Sequence, residues 1–356
     1  MSHPVVRAID VGYGQVKFTD GRDSATGGIR VDSFPSASSV ASRKSLDQGV
    51  MLKKDNFIVQ VKDTMFEVGR DIHLAMDANH DSDVMDLDFS LSDAYAARLY
   101  GAISYMLPAL PGATIDHLVL GLPLNTYFRL HRKLAEKFRG SHRVGPRGET
   151  VTINQCSVYP QPIGSYAMFM ANHATHFPGV SNPMALIVDV GYNTVDWFVC
   201  QGMKANEARS GANQKGMVGV LKTAAKKLIQ ETEAQDTEAD IARRIDQSLK
   251  NGTDFIQYGK PVPLDMYLEA ASQYINEAAQ AIRNSVGAGG DLHAIVLSGG
   301  GAKLYSAFVQ SKFPKHTVLL LDDAAFANVR GFHAIGEKLA ISAQRALAAK
   351  ETVSHG

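Results

Sequence analysis

Hydrophobic and polar positions along the chain fall into two rhythms. Short apolar runs occur at Val5-Val6 with Ala8-Ile9, at Ile115 to Leu120, at Ala185 to Val188 and at Ala294 to Leu297. Runs this short, bounded by polar or glycine-rich segments, read as buried strands. Phe57 to Val61, Thr64 to Val68 and Thr317 to Leu321 read as further strands, and Val151 to Tyr159 alternates like one. Helical spacing marks Tyr127, Leu130, Leu134 and Phe138, and helices are expected over Gly164 to Asn172, Gly216 to Ile229, Met266 to Ser285 and Ala324 to Ala348. Ser90 and Asp93 read as a capping box for a helix ending near Met106. Residues 140–149 read as a polar loop, Glu231 to Asp240 as an acidic helix or connection, and Lys350 to Gly356 as a frayed tail. Strands and helices alternate, so the pattern predicts an α/β fold.

The pattern also echoes itself. Ile9-Asp10-Val11-Gly12-Tyr13-Gly14-Gln15-Val16-Lys17 returns as Val188-Asp189-Val190-Gly191-Tyr192-Asn193-Thr194-Val195-Asp196. Each copy follows an apolar run and leads into another, which reads as strand, tight turn, strand. The copies lie about half a chain apart, so two similarly built halves are expected rather than a short-period solenoid.

Composition narrows the picture in three ways. The chain has 356 residues, enough for two domains with separate cores. Its formal net charge is zero, so it is not expected to grip nucleic acid by bulk charge. Cys156 and Cys200 have no partner at metal-ligand spacing, and no signal-peptide pattern or membrane-length apolar run is found. The expected setting is the cytoplasm, with no membrane contact.

The duplicated turn carries the chemistry. A tight turn without bulky side chains points backbone N–H groups at phosphate oxygens, and glycine permits the close approach and unusual φ this requires. A carboxylate just ahead of the turn suits the water shell of Mg²⁺, so Asp10 and Asp189 are the candidate metal residues. Lys17 can set a point charge on the phosphates. A third glycine-rich element, Ser298-Gly299-Gly300-Gly301-Ala302, follows a strand and lets the backbone pass close to a flat or charged ligand. Neither a P-loop nor a dinucleotide fingerprint is present.

These residues resemble the first and second phosphate motifs and the adenosine motif of the actin, Hsp70 and sugar-kinase superfamily, in order and over nearly the whole chain. Gly121-Leu122-Pro123-Leu124-Asn125, Tyr159-Pro160-Gln161-Pro162 and the segment from Phe326 to Phe332 resemble the actin-like plasmid-segregation ATPases of the ParM and StbA type, with the PRTRC-system protein D branch nearest. The resemblance implies an actin-like (ribonuclease H-like) duplicated fold with a nucleotide cleft between two domains. The first would hold residues 1–165 plus a C-terminal helix, 336–356, and the second residues 166–335.

It further implies ATP, or GTP, with Mg²⁺ and a slow ATPase that polymerises head to tail. A separate centromere-binding adaptor would carry the plasmid, with no direct nucleic-acid contact. Gln161 falls where the ParM type usually has a water-positioning Glu, so Gln161, Asp10 and Asp189 are the expected catalytic residues. Gly12, Tyr13, Gly14, Gln15, Lys17, Gly191, Tyr192, Asn193, Thr194, Lys215, Gly299, Gly300, Gly301 and Ala302 would line the nucleotide. Tyr13 and Tyr192 stand where small residues are common; they either pack outside the turns or narrow the phosphate pocket. A small-molecule kinase or a non-polymerising ATP-dependent switch are the alternatives on the same fold. Arg129, Arg132, Lys133, Lys137, Arg139, Arg143 and Arg147 read first as a solvated face, then as a filament or adaptor contact. Arg243 and Arg244 read as surface residues with a base or ribose contact as the alternative. His173 and His176 lack a third ligand for a metal.

Overall fold

The computed structural model describes residues 3–41, 53–76, 88–202 and 204–354, with side chains throughout except at 172–176 and 347–354. The chain divides into two compact units, Met1–Asn172 with Phe326–Gly356, and His173–Ala325.

The first unit opens with the hairpin of β1 (Val6–Val11) and β2 (Gln15–Arg22), followed by β3 (Ile29–Pro35). A small three-stranded sheet comprises β4 (Ser39–Val40), β5 (Asn56–Val61) and β6 (Thr64–Gly69). Then come α1 (Asp93–Met106), β7 (Thr114–Leu122), α2 (Leu124–Lys137), β8 (Gly140–Arg143), β9 (Thr150–Pro160) and α3 (Gln161–His176). The second unit contains β10 (Met184–Val190), β11 (Val195–Gln201), β12 (Lys204–Ala205), β13 (Gly211–Asn213), α4 (Met217–Thr232) and α5 (Glu238–Asn251). It continues with β14 (Ile256–Gln257), β15 (Lys260–Pro261), α6 (Asp265–Glu269), α7 (Ser272–Val286), β16 (Ala294–Ser298), α8 (Ala302–Lys312) and β17 (Val318–Leu320). The last helix, α9 (Ala327–Ser354), returns to the first unit.

The sequence echo becomes an architectural one. The first main sheet runs β3-β2-β1-β7-β9-β8 and the second β12-β11-β10-β16-β17, with β13 also on β11. In each, an antiparallel hairpin (β1 with β2, β10 with β11) is joined in parallel by a later strand (β7, β16) and then another (β9, β17). This is the duplicated ribonuclease H-like α/β arrangement. Both central strands are buried on their two faces, which is why they read as near-continuous apolar runs. On one face of the first sheet Ile9, Val16 and Phe18 pack in one cluster with Leu99 and Ile103 of α1 and Leu130 and Leu134 of α2. On the other, Ala8 and Val119 pack against Val329 and Phe332 of α9.

Several local expectations change. Ser92, not Ser90, caps α1: its hydroxyl accepts from Tyr95 N–H at 3.1 Å, while Ser90 lies buried in a short 3-10 turn. Part of the expected polar loop, 140–149, is the edge strand β8, paired with β9. The helix expected from Met266 to Ser285 is broken between α6 and α7, where the Ser272 hydroxyl donates to the Glu269 carbonyl and competes with the helical ladder. The chain stays helical to Ser354 rather than fraying from Lys350. α3 begins at Gln161, three residues ahead of the expected start at Gly164; proline is tolerated in a first helical turn, so Pro162 does not prevent it. The C-terminal helix starts at Ala327, nine residues before position 336, so the segment 327–335 belongs to the first unit and not the second.

Candidate functional site

Each sheet presents one half-site at the tip of its hairpin. In the first, β1 pairs with β2 so that Val11 faces Val16 and Asp10 faces Lys17. Gly12 N–H donates to the Gln15 carbonyl at 3.1 Å and closes the turn. In the second, Val190 faces Val195, Asp189 faces Asp196, and Gly191 N–H donates to the Thr194 carbonyl at 2.9 Å. The reason for glycine differs from the expectation. Neither Gly12 nor Gly191 takes a left-handed φ; a Cβ on either would lie 3.1 Å from the carbonyl that its own N–H bonds. Close approach, not unusual φ, selects glycine here.

Asp10 is 5% exposed, and burial raises its carboxyl above the ordinary aspartate range, with Lys17 and a hydrogen bond from Gln161 pulling it back in part. That bond is the Gln161 side-chain amide donating to Asp10 Oδ1 at 2.8 Å. The other neighbour of Asp10 is Gly121 on β7, where a Cβ would lie 3.0 Å from Asp10 Oδ1 and 2.6 Å from the Phe332 ring. Tyr13 packs outside the turn, stacked on Phe89 with ring centroids 5.6 Å apart. The Gly14 carbonyl accepts from Ser36 N–H at 3.2 Å, which ties the turn to the end of β3. Gln15, the first residue of β2, faces Pro35 of β3.

Asp189 is likewise 5% exposed and sits in parallel register with Ser298 of β16. The chain then makes the glycine turn: Gly299 takes φ +86°, and a Cβ there would lie 2.4 Å from both Asp189 Oδ1 and the Val190 carbonyl oxygen. Gly301 N–H donates to that carbonyl at 3.1 Å, and Ala302 opens α8. A Cβ at Gly300 would meet no atom within 4 Å, so this glycine presents an open backbone face. The hairpin turn is held from behind by the start of α4. Gly216, Met217 and Val218 N–H groups donate to the carbonyls of Asn193, Gly191 and Tyr192 at 3.0, 3.1 and 2.7 Å. Amides otherwise left unpaired at a helix N-terminus are thus satisfied by the turn itself. Asn193 and Thr194 are buried, and the Thr194 hydroxyl donates to Asp196 Oδ2 at 2.6 Å. Tyr192 packs with the α4–α5 cluster beneath the Lys250 ammonium, and burial, then Asp246, pushes its phenol up to about 12.

The structure therefore gathers Asp10, Gln161 and Lys17 around one turn, and Asp189, Gly299, Gly301 and Ala302 around the other. Lys215 behaves differently. Its ammonium pairs with Glu277 at 2.6 Å and lies over the Tyr274 ring, so it is directed to α7. Arg243 and Arg244 pair with Asp240, and Arg244 also with Asp236. Within the basic stretch, Arg129 pairs with Asp88 and Lys137 donates to the Leu91 and Ser92 carbonyls. The side chains of His173 and His176 lie outside the described residues. Sequence reasoning passed over Asp196, although the echo aligns it with Lys17, and over Gly121, although it opens a segment already singled out. Asn328 lies in the segment from Phe326 to Phe332 already singled out, but no role was read for it; it bonds Ser165 from another helix.

A duplicated ribonuclease H-like fold with an Asp-x-Gly hairpin heading each sheet defines the actin class of proteins. Residues 8–164 match the family model of the N-terminal domain of actin-like proteins, and residues 187–311 match that of the C-terminal domain of the archaeal MreB-like actin homologue. The chain belongs to the actin-like proteins. Among solved structures it is similar to a ParM in a 15-stranded filament from Clostridium botulinum, with 20% identity over 95% of this chain and 100% of that one, and a TM-score of 0.71. An archaeal actin homologue in complex with ADP gives 21% identity, 94% and 99% coverage and a TM-score of 0.68. A Bacillus thuringiensis ParM with ATP gives 13% identity, 94% and 98% coverage and a TM-score of 0.63. No curated protein sequence gives a match. Among the described residues, no helix is long and apolar enough to cross a membrane.

Proposed function

We propose that this protein binds and hydrolyses ATP, assembles head to tail into filaments, and serves plasmid segregation through a centromere-binding adaptor. The observation that carries the reading is the pair of hairpin turns, each with a buried aspartate two residues ahead of a close-packed glycine. The Gly12 and Gly191 turns would cradle the phosphates, and the Gly299–Ala302 turn would pass the adenosine. Mg²⁺ fits the donor set in chemistry: Asp10 and Asp189 each offer hard carboxylate oxygens, the ligand type it prefers. When bound, it would neutralise phosphate charge.

Gln161 would orient the attacking water from its place on Asp10; water adds to the γ-phosphorus, the bond to the bridging oxygen breaks, and ADP and phosphate leave. An amide is a weak base, which suits slow turnover. Lys215, held by Glu277, is proposed as a support of the α4 start rather than a phosphate ligand. A head-to-tail contact whose rotation does not close gives a filament, the form in which the similar ParM from Clostridium botulinum is seen. The same contact between copies is the partner surface proposed here; an adaptor fits a chain of zero net charge better than direct DNA binding.

The test is sedimentation and light scattering with ATP and Mg²⁺ against ADP and Mg²⁺. ATP-dependent pelleting is expected at high protein concentration, and its absence would sink the polymerising reading. In steady-state hydrolysis, Gln161→Ala is expected to lose on the order of 10²-fold in kcat with little change in KM.

A further inference from the structure

Gln161 can act only if its amide is held on the Asp10 side, and its own helix does little to hold it there. The residue before it is Pro160, whose side chain has no acceptor with which to cap α3. The anchoring comes instead from α9. One helical turn after Gln161, Ser165 gives both of its donors to one atom: its N–H lies 3.1 Å and its hydroxyl 2.6 Å from Asn328 Oδ1. Ser165 is fully buried and Asn328 is 7% exposed. The backbones meet without side chains between them. A Cβ on Gly164 would lie 2.2 Å from the Asn328 carbonyl oxygen, and one on Gly331 1.8 Å from the Gly164 carbonyl oxygen. Gly164 is thus lodged between Asn328 and Gly331, three residues apart on one face of α9. The next residue of α9, Phe332, abuts Gly121, itself the neighbour of Asp10. The start of α9 therefore touches both supports of the Asp10–Gln161 contact.

We propose that Asn328 is the positioning residue for Gln161: through Ser165 it holds α3 one turn in from its start and fixes the axial and rotational setting of the first turn, so that the Gln161 amide meets Asp10. This rests on the reading of Gln161 as the water-orienting residue. Asn328 touches no reacting atom and acts only through α3. Its acceptor oxygen is the part that matters, so an aspartate should serve where a leucine of similar size should not.

The experiment compares Asn328→Leu, Asn328→Asp and Ser165→Ala, each alone and with Gln161→Ala, in steady-state ATP hydrolysis with Mg²⁺. It is read alongside thermal unfolding and the side-chain amide NMR signal of Gln161. Asn328→Leu is expected to lower kcat by ~10-fold at nearly unchanged KM and to shift the Gln161 amide signal. Asn328→Asp should stay near wild type, and Ser165→Ala should fall between. In the Gln161→Ala background Asn328→Leu should add little, because both act on one event. Equal loss in both backgrounds, a loss in KM alone, or an unmoved Gln161 signal would overturn the proposal. A Gln161→Ala protein as fast as wild type defeats the water-orienting reading instead; a Gln161 amide signal that still shifts in Asn328→Leu then keeps the positioning contact standing as structure.

Discussion

The two hairpin turns have one backbone plan but are fixed in place differently. The turn after Asp189 is bonded by three consecutive amides at the start of α4 and wedged by Gly299. Among the described residues, the turn after Asp10 takes a backbone tie from Ser36 and is also held by side chains, with Gln161 on the carboxylate and Tyr13 on Phe89. Across the strand, Asp10 faces a cation and Asp189 faces another carboxylate. A duplicated motif can keep its turn while one copy becomes a rigid seat and the other an adjustable one. The second turn is set by backbone geometry, which few substitutions can alter, and the first by side-chain chemistry, which single substitutions can.

The sharpest break of this contrast is a methyl group. Gly299→Ala places carbon against the Asp189 carboxylate and the Val190 backbone at a left-handed φ, with an expected cost of about 2–4 kcal/mol. Gly121→Ala, the matching position beside Asp10, meets mainly the Phe332 ring, which can tilt, and is expected to cost about 1–2 kcal/mol. Urea unfolding of both variants decides; equal costs would remove the distinction between seat and adjustable turn.

A second, smaller effect concerns Asp10 and pH. Burial holds Asp10 above the ordinary aspartate range. A raised value in the folded state means that the protonated form favours folding. That contribution is complete below the unfolded value, about 4, and is lost as pH rises through the folded value. Asp10→Asn should therefore raise the unfolding temperature of the ligand-free protein by a few degrees at pH 7 and leave it unchanged near pH 3. Lys17→Met should push Asp10 further up and widen the window. Thermal scans across pH check this, and a gain that grows toward low pH would contradict it.

The smallest expected effect concerns how α9 is tied to the first sheet. Arg22 donates to both Glu337 oxygens at 2.7 and 2.6 Å, and Thr19 bonds His333 at 2.8 Å. Burial alone would push the Glu337 carboxyl up, but the bonds from Arg22 and His333 outweigh it and hold it at about 2. With a depressed value, the stabilisation is present above about 4 and fades as pH falls through about 2. Because the pair is partly exposed, Glu337→Gln should cost about 1 kcal/mol or less at pH 7. The difference from wild type should disappear near pH 2 in urea unfolding.

Much of the first-order design is legible in the chain. The Asp-Val-Gly-Tyr echo announces itself because a Cβ at Gly12 or Gly191 would press to 3.1 Å on the carbonyl that closes the turn, which favours glycine in both copies. Ser298 to Ala302 is legible for a similar reason. What the sequence hides is tertiary. Nothing local distinguishes Ser92 from Ser90 as a cap, because the choice depends on where the Phe89 turn is buried. The break between α6 and α7 falls in Ala270-Ala271, strong helix formers that give no warning. Gln161 between two prolines reads as a loop until the first-turn tolerance for proline is applied. Lys215 precedes a helix, a usual place for a phosphate ligand, yet Glu277, 62 residues further on, takes its ammonium. Asn328 finds its partner 163 residues away, and no spacing rule reaches that far.

The order in which the chain is made gives α9 another significance. The second unit, His173–Ala325, is one continuous stretch, while the first needs Phe326–Gly356 to be complete. Val329 and Phe332 cover one face of the first sheet, so that face stays bare until the segment after the second unit has been synthesised. The usual sequence, in which the N-terminal domain folds first on the ribosome, is then inverted: the later unit can be finished while the earlier one waits. Protease protection of stalled nascent chains should appear in 173–325 before 1–172, and simultaneous protection would refute it. During that interval the exposed sheet face is where a chaperone would be needed.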